Sequence, residues 1–121
     1  HEKDNLWYVN MDGRAVFKFA TKAVTKSIER VMDNAGVKAD EIKYVVPHQA
    51  NARIVDIISR KLGIAHDKCY MNMSEYGNTS SASIPIVLNE LNEKGLIERG
   101  DKLLLTGFGG GMTWGTMLIS W

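Results

Sequence analysis

Segments with helical and strand-like hydrophobic spacing alternate along this chain, and this alternation restricts its fold more than any other feature. Apolar residues recur every three or four positions in residues 16–31, 51–62 and 83–93, which predicts three helices. Short apolar runs at residues 44–47 and 103–105 are typical of buried strands. Helices that alternate with such strands indicate an α/β fold with a mostly parallel sheet.

Three further segments complete the predicted sheet. Residues 6–9 are interpreted as an edge strand, and residues 69–71 as a strand that follows the second helix. Residues 113–121 alternate in polarity and follow the strand at 103–105 after a short connection. We therefore predict that the last two strands pair antiparallel, in the order β-α-β-α-β-α-β-β.

The first predicted helix carries signals at both ends. Asp12 precedes it and is predicted to cap it, and Gly36 lies just past its end. In the same way, Gly63 is predicted to end the second helix. The first helix is predicted to turn one set of residues inward: Val16, Ala20, Ala23, Val24, Ser27, Ile28 and Val31.

Length, charge and cysteine content limit the possible functions. A chain of 121 residues fits one domain, and a net charge of +1 provides no overall attraction to nucleic acid or membranes. The single cysteine, Cys69, rules out an internal disulfide framework and indicates a reducing, cytoplasmic setting. The chain starts without Met or a signal peptide, so we expect it to be part of a longer protein. Residues 1–10 are interpreted as a linker remnant and residues 11–121 as the domain.

Three polar or glycine-rich segments predict a functional site. They are residues 47–51, 76–81 and 107–111, which we place beyond the carboxyl ends of the predicted strands. Ligands bind at that edge of open α/β sheets, so the convergence of these segments indicates a binding or catalytic site.

Two side chains in these segments can donate hydrogen bonds without carrying a charge. His48 lies between a strand end and a helix start, where the helix dipole is expected to lower its pKa and keep the imidazole neutral. Asn78 can donate through its amide to a developing oxyanion. Each also has a structural interpretation, because His48 can bridge local structure and Asn78 is typical of turns. The glycines at 109–111 either bring backbone amides close to a ligand or form a tight hairpin.

The other chemically distinctive residues are interpreted as structural. Cys69 lies in an apolar pattern and is predicted to be a core thiol. His1 and His66 lack the spacing of metal ligands, so no metal site is predicted. The tryptophans are interpreted as packing residues: Trp7, Trp114 and Trp121.

Three stretches together resemble one family of condensing enzymes. They read VPHQANARI at residues 46–54, GNTSSASIP at 77–85 and GFGGGMTWG at 107–115. In this order they are similar to the C-terminal half of the β-ketoacyl-acyl-carrier-protein synthase III family, from about residue 11 to residue 121. The resemblance implies the C-terminal half of a thiolase-like α/β fold, with a mixed, mostly parallel sheet whose last strand is antiparallel.

The resemblance also implies that part of the fold is missing. A complete half has a five-stranded sheet whose first strand is central and precedes the first long helix. We therefore expect an incomplete sheet edge with exposed apolar surface, which favours self-association. The nucleophilic cysteine and the homodimer interface belong to the N-terminal half, so the isolated chain is expected to be inactive.

The roles implied for individual residues are those of a decarboxylating condensation. A cysteine of the N-terminal half takes an acyl group from acyl-CoA, and malonyl-acyl carrier protein then loses carbon dioxide and attacks it. His48 and Asn78 match the two donors to the malonyl thioester oxygen, and the backbone amide of Gly110 matches a donor to the acyl-cysteine carbonyl. No cofactor is implied besides these substrates.

Other matched positions concern binding. Phe108 matches a residue beside the cysteine, and Asn51 matches a residue that orders water and contacts the pantetheine arm. The pantetheine tunnel is matched by Gly13, Phe17, Ala50 and Ile54. Four basic residues, ordinary solvated charges when taken singly, match the docking face for the acidic acyl carrier protein: Lys18, Arg53, Arg60 and Lys61.

Two other functions stay open at this point. A related condensing enzyme of secondary metabolism would use a different starter acyl group. A non-catalytic module would only bind carrier protein through its basic face. The sequence upstream distinguishes them, because an enzyme requires a cysteine there.

Overall fold

The computed structural model describes residues 10–121. They form seven regular elements, in the order α1 (Gly13–Ala35), β1 (Ile42–Pro47), α2 (Ala52–Leu62), α3 (Met73–Tyr76), α4 (Ser83–Glu93), β2 (Lys102–Gly109) and β3 (Thr113–Ser120). The predicted strand at residues 6–9, which includes Trp7, lies outside the described residues. No helix within residues 10–121 is long and apolar enough to cross a membrane.

The sheet has the strand order β1-β2-β3, with β2 in the middle. β1 pairs with β2 in parallel, so that Val46 lies opposite Leu105. β2 pairs with β3 antiparallel, and Leu105 lies opposite Met117 on that side. The predicted antiparallel pairing of the last two strands is therefore confirmed.

Helices cover the sheet on two faces. Val45 and Leu104 point into a core shared with α1 and α2, whereas their chain neighbours Val46 and Leu103 point into a second core under α4. All four side chains are fully buried. Successive residues of a strand face opposite sides, so a strand covered on both faces is apolar throughout. This is why β1 and β2 read as continuous apolar runs in the sequence.

The prediction of a strand at residues 69–71 is wrong. Cys69 forms a single isolated bridge with Val45, and the ladder does not continue. The side chain of Gln49 occupies the backbone groups that would extend it, because its Nε2 donates to the carbonyl of Tyr70 and its Oε1 accepts from the amide of Asn72. A side chain has therefore replaced the neighbouring strand as the hydrogen-bond partner.

The expectation that a further strand, preceding α1 in the chain, lies at the centre of this sheet is also wrong. β1 and β2 are paired directly, so another strand can join only outside β3 or outside the Cys69 bridge. The outer edge of β3 has no strand partner among residues 10–121. Trp114 and Met117 of β3 are 53% and 59% exposed, so apolar side chains of this strand lie at the surface, and the expected open edge stays a prediction.

The buried face of α1 differs from the predicted one. It includes two threonines, Thr21 and Thr25, whereas Val16, Ala23, Ser27 and Val31 are only half-buried. The hydroxyl of Thr21 donates to the carbonyl of Phe17, and that of Thr25 donates to the carbonyl of Thr21. A hydroxyl that bonds back to its own helix can be buried without a lost hydrogen bond, so hydrophobicity alone misplaces this face.

The predicted ends of α1 are confirmed. The carboxylate of Asp12 accepts hydrogen bonds from the amides of Arg14 and Ala15, each at 3.0 Å. Gly36 follows the last turn with φ +63°, a left-handed conformation that favours glycine.

Removal of the Asp12 cap should destabilise the protein. Asp12→Ala leaves two amides of the first turn without their acceptor, and we expect it to lower the free energy of unfolding by about 1 kcal/mol. Asp12→Asn keeps an acceptor oxygen and should cost less than about 0.5 kcal/mol. Urea unfolding followed by circular dichroism measures both. Equal losses in the two variants would contradict a capping role.

Candidate functional site

A cavity of about 470 Å³ lies at the carboxyl ends of β1 and β2. The segment after β1 contributes His48, the segment before α4 contributes Ser80 and Ser81, and the end of β2 contributes Gly107 and Phe108, among other residues. All three segments that the sequence singled out therefore meet at one site.

His48 is held from its backbone and from its ring. Its amide donates to the carbonyl of Thr106 at 2.8 Å, which extends the β1–β2 pairing by one residue. Its ring Nδ1 lies 2.8 Å from the hydroxyl oxygen of Ser83, within hydrogen-bond distance. The Phe108 ring packs edge to face against the imidazole, with ring centroids 5.3 Å apart. The imidazole is thus fixed between β2 and the start of α4.

Burial lowers the pKa of His48. The predicted direction is confirmed, but the predicted cause is wrong. α2 begins only at Ala52 and is capped by Asn51, whose side chain accepts from the amide of Arg53 at 2.9 Å. His48 therefore lies before the N-terminus of α2, and the dipole of a helix acts mainly within its first turn. The neutral imidazole is favoured because a charged ring would lose hydration.

Asn78 follows a short helix that the sequence did not predict. α3 ends at Tyr76, the following Gly77 has φ +66°, and Asn78 comes next on the surface. The Oδ1 atom of Asn78 accepts from the amide of Ser80 at 3.0 Å, so the side-chain amide nitrogen remains available as a donor. Ser80 lines the cavity, whereas Asn78 is not among its lining residues. The joint action of His48 and Asn78 on one oxygen stays a prediction.

The glycine segment connects β2 to β3. Gly110 begins a single 3-10 turn that ends at Met112, and Gly111 within it has φ +74°. The hydroxyl of Thr113 donates to the carbonyl of Gly110 at 3.0 Å and closes the turn. Gly109 and Thr113 line the cavity, so the segment is both a tight hairpin and part of the site wall. Gly110 itself is exposed and is not among the lining residues.

Gln49 is a residue for which the sequence suggested no role. It is 1% exposed, and its Nε2 donates to the carbonyls of Pro47 at 2.9 Å and Tyr70 at 3.1 Å. Its Oε1 accepts from the amide of Asn72 at 3.0 Å, and the side chain of Asn72 donates to Glu90 of α4 at 2.7 Å. That hydrogen bond is the largest of several influences that lower the pKa of Glu90. The network ties the His48 segment, the approach to Asn78 and α4 together.

Ser83 was also missed, although the sequence contained a signal for it. Ser83, Val87 and Leu91 share one buried row of α4 at four-residue spacing. Ser83 is 2% exposed, so it is a polar residue at a core position. A buried hydroxyl requires a hydrogen-bond partner, and here that partner is His48.

The residues matched to the pantetheine tunnel lie apart from this cavity wall. Gly13 begins α1, Phe17 is half-buried one turn later, and Ala50 and Asn51 are exposed before α2. Ile54 is 4% exposed and belongs to the core between α1, α2 and the sheet. Of the residues matched to substrate contacts, Phe108 lines the cavity.

The four basic residues lie on two packed helices. Lys18 is exposed on α1, and the other three are exposed on α2: Arg53, Arg60 and Lys61. The Arg53 guanidinium lies 5.7 Å from the centre of the Phe17 ring. None of the four takes part in the salt bridges found among residues 10–121. Their charges are therefore not paired in a salt bridge with a carboxylate of the described residues.

The structure confirms the prediction for Cys69 and corrects the one for Trp114. Cys69 is 3% exposed, and burial raises the pKa of its thiol to about 11, so the prediction of a core thiol is confirmed. Trp114 is not a core packing residue, because it is 53% exposed, contacts Phe19 edge to face at 5.3 Å and lines the cavity. Trp121 is half-buried against the core under α4, as expected.

Comparison with known proteins gives a consistent family signal. Residues 32–121 match a family described as the C terminal of 3-oxoacyl-[acyl-carrier-protein (ACP)] synthase III. Two similar relatives are named beta-ketoacyl-[acyl-carrier-protein] synthase III. The Clostridium acetobutylicum protein is 48% identical over 93% of this chain and 35% of its own length. The Clostridium novyi protein is 50% identical over 93% of this chain and 35% of its own length.

A solved structure confirms the fold. The crystal structure of 3-oxoacyl-[acyl-carrier-protein] synthase III from Aquifex aeolicus superposes with a TM-score of 0.94 at 45% identity. The match covers 98% of this chain and 38% of the other. The chain therefore has a thiolase-like fold and spans about a third of the length of the relatives that it matches.

The buried state of Cys69 predicts low thiol reactivity. With a pKa of about 11, the thiolate fraction at pH 8 is about a hundredfold below that of a thiol with the ordinary pKa of 9.0. Iodoacetamide should label the native 121-residue chain far more slowly than the chain in denaturant, and the native rate should still rise between pH 8 and pH 10. Rapid native labelling that levels off near pH 9 would contradict the buried thiol.

Proposed function

We propose, since this chain belongs to the family of 3-oxoacyl-[acyl-carrier-protein] synthase III C-terminal domains, that it supplies the enolate-stabilising half of a condensing enzyme. The full-length protein would join an acyl group from acyl-CoA to malonyl-acyl carrier protein and so begin fatty-acid synthesis. The observation that carries this proposal is the imidazole of His48, held by Ser83 at the wall of the cavity where the three sequence motifs meet.

The proposed reaction has two stages. A cysteine thiolate outside this chain attacks the thioester carbonyl of acyl-CoA, and the coenzyme thiolate leaves. Malonyl-acyl carrier protein then binds, and its carboxylate leaves as carbon dioxide. The electron pair of the broken carbon–carbon bond forms a thioester enolate, whose carbon attacks the acyl-cysteine and expels the cysteine thiolate. No metal or organic cofactor is needed, because the loss of carbon dioxide supplies the electron pair.

His48 and Asn78 would act on the enolate oxygen. A neutral imidazole N–H and an amide N–H both donate without giving up a proton, so they stabilise negative charge that develops on the oxygen. A charged imidazolium is not required, which fits the lowered pKa of His48. The fixed position of the ring between Ser83 and Phe108 reduces the reorganisation needed during the reaction.

The glycine turn would serve the second tetrahedral centre. A backbone amide at Gly110 can donate to the oxygen of the acyl-cysteine carbonyl as it becomes an oxyanion. The absence of a Cβ in this turn allows the backbone to come close to a substrate. Phe108 would close the apolar side of the same space, since its ring already lines the cavity.

The basic residues on α1 and α2 would bind the carrier protein. Carrier proteins of this reaction are acidic by family resemblance, and four exposed cations that form no salt bridge within residues 10–121 would attract such a partner. Gly13, Phe17, Ala50, Asn51 and Ile54 lie on the same two helices or just before them, and in this proposal they would line the path of the pantetheine arm.

Loss of either proposed donor should stop decarboxylation selectively. In the full-length protein, His48→Ala or Asn78→Ala should reduce malonyl decarboxylation by about 10²- to 10³-fold, because one oxyanion donor is removed. Acylation of the cysteine by acyl-CoA should stay within about twofold of normal, since it does not use the enolate site. Release of labelled carbon dioxide and mass spectrometry of the acyl-enzyme measure the two steps.

Matched substitutions on the surface serve as controls for that experiment. His66→Ala removes an exposed histidine that contacts Asp56, and Asn89→Ala removes an exposed asparagine of α4. Both should decarboxylate normally. Normal decarboxylation in His48→Ala or Asn78→Ala would refute the roles assigned here, and a full-length protein without any acylated cysteine would favour the binding-module alternative.

Charge reversal on α2 should weaken carrier-protein binding. Arg53→Glu is expected to raise the KM for malonyl-acyl carrier protein by roughly tenfold at low salt, and by less at high salt, because the contact is electrostatic. Lys43→Glu reverses an exposed charge near the opposite end of β1 and is the control. Steady-state kinetics at two ionic strengths measures the effect. Equal KM values in the two variants would argue against this docking face.

A further inference from the structure

The hydroxyl of Ser83 has a single described partner, the Nδ1 atom of His48 at 2.8 Å. Ser83 is the first residue of α4 and is 2% exposed. No other hydrogen bond of its side chain exists among residues 10–121. The contact joins two segments 35 positions apart in the chain, so it depends on the tertiary fold and not on local sequence.

A serine hydroxyl carries one proton, and hydrogen-bond accounting decides where that proton points. If Nδ1 is unprotonated, the hydroxyl donates to it and both groups are satisfied. If Nδ1 carries the proton, it donates to the hydroxyl oxygen, and the hydroxyl proton is then buried without an acceptor. Such an unsatisfied donor disfavours the second arrangement by about tenfold or more.

We propose that Ser83 is a positioning residue that fixes His48 in the tautomer with its proton on Nε2. Nε2 has no hydrogen-bond partner among residues 10–121, and His48 lines the cavity, so this N–H is available to a substrate oxygen. Phe108 packs against the ring and opposes the rotation that would exchange the two nitrogens. The tautomer itself is a property of the folded protein, whereas its catalytic consequence rests on the proposed function.

The arrangement also explains why a polar residue occupies a core position of α4. Val87 and Leu91 continue the same buried row, so hydrophobic spacing alone would favour an apolar residue at position 83. An apolar side chain would, however, leave Nδ1 without a donor. The hydroxyl therefore serves the imidazole directly and has no other bonding role within the described chain.

Nitrogen NMR of the histidine ring tests the tautomer directly. In full-length protein labelled with ¹⁵N-histidine, the His48 signals are assigned by their loss in His48→Gln. At neutral pH the wild type should show a protonated-type Nε2 and an unprotonated-type Nδ1. In Ser83→Ala, both signals should move toward the exchange average of a free imidazole. Ser59→Ala is the matched control, because Ser59 is also buried and its hydroxyl donates to the carbonyl of Ile64.

Kinetics of the same variants tests the consequence for the reaction. Ser83→Ala should lower the decarboxylation rate by about tenfold while acylation of the cysteine stays normal, and Ser59→Ala should change neither step. A protonated Nδ1 in the wild type would overturn the proposal even if Ser83→Ala fails to fold. Unchanged signals in folded Ser83→Ala, or changed signals with normal decarboxylation, would also overturn it. If the wild type does not decarboxylate malonyl substrate at all, the proposed function fails, and the NMR result still decides the tautomer.

Discussion

The side-chain amide of Gln49 occupies hydrogen-bonding positions that a neighbouring strand would otherwise fill, and the geometry of the site depends on it. It joins the carbonyl of Pro47 to the backbone of Tyr70 and Asn72, and Asn72 in turn binds Glu90 on α4. The amide of Gln49 is buried, so its bonds replace water that cannot reach it, whereas the bond from Asn72 to Glu90 is only partly buried. Two segments that are distant in the chain, residues 70–72 and α4, are therefore tied to the His48 segment by Gln49 and its partner Asn72.

The two-faced sheet explains why the site forms at this edge. β1 and β2 are buried on both faces, by α1 and α2 on one side and by α4 on the other. Most side chains along these strands are therefore apolar. The polar side chains of the site lie where the strands end, whereas the buried Thr106 within β2 is hydrogen-bonded to Thr116 of β3. The direct pairing of β1 with β2 brings those two ends together, and the start of α4 closes the space between them. The catalytic chemistry proposed here uses the region that the core leaves free.

The electrostatic character of the protein changes from the cavity to the outer helices. Burial lowers the pKa of His48 and so favours the neutral imidazole, and within residues 10–121 the cavity lining includes no lysine, arginine, aspartate or glutamate. Exposed cations on α1 and α2 lie outside this wall. Such a separation suits a reaction in which a neutral donor stabilises a transient oxyanion while a charged surface attracts the carrier of the substrate. Oxyanion stabilisation favours a site with little water, whereas attraction of a carrier protein requires charges exposed to solvent. Different parts of the fold therefore carry the two tasks.

The sequence by itself determined the features that depend on neighbouring residues. Asp12 and Gly36 mark the ends of α1 because capping and left-handed turns are local interactions, and the short connection between β2 and β3 requires an antiparallel pair. The three motifs also identified the site and its family, since their order and spacing are specific. The roles of Gln49 and Ser83, the exposure of Trp114 and the burial of Thr21 and Thr25 were decided only by the tertiary structure. In each of these cases the outcome depends on which atoms from remote segments satisfy a hydrogen bond or cover a surface, and spacing along one segment does not identify those atoms.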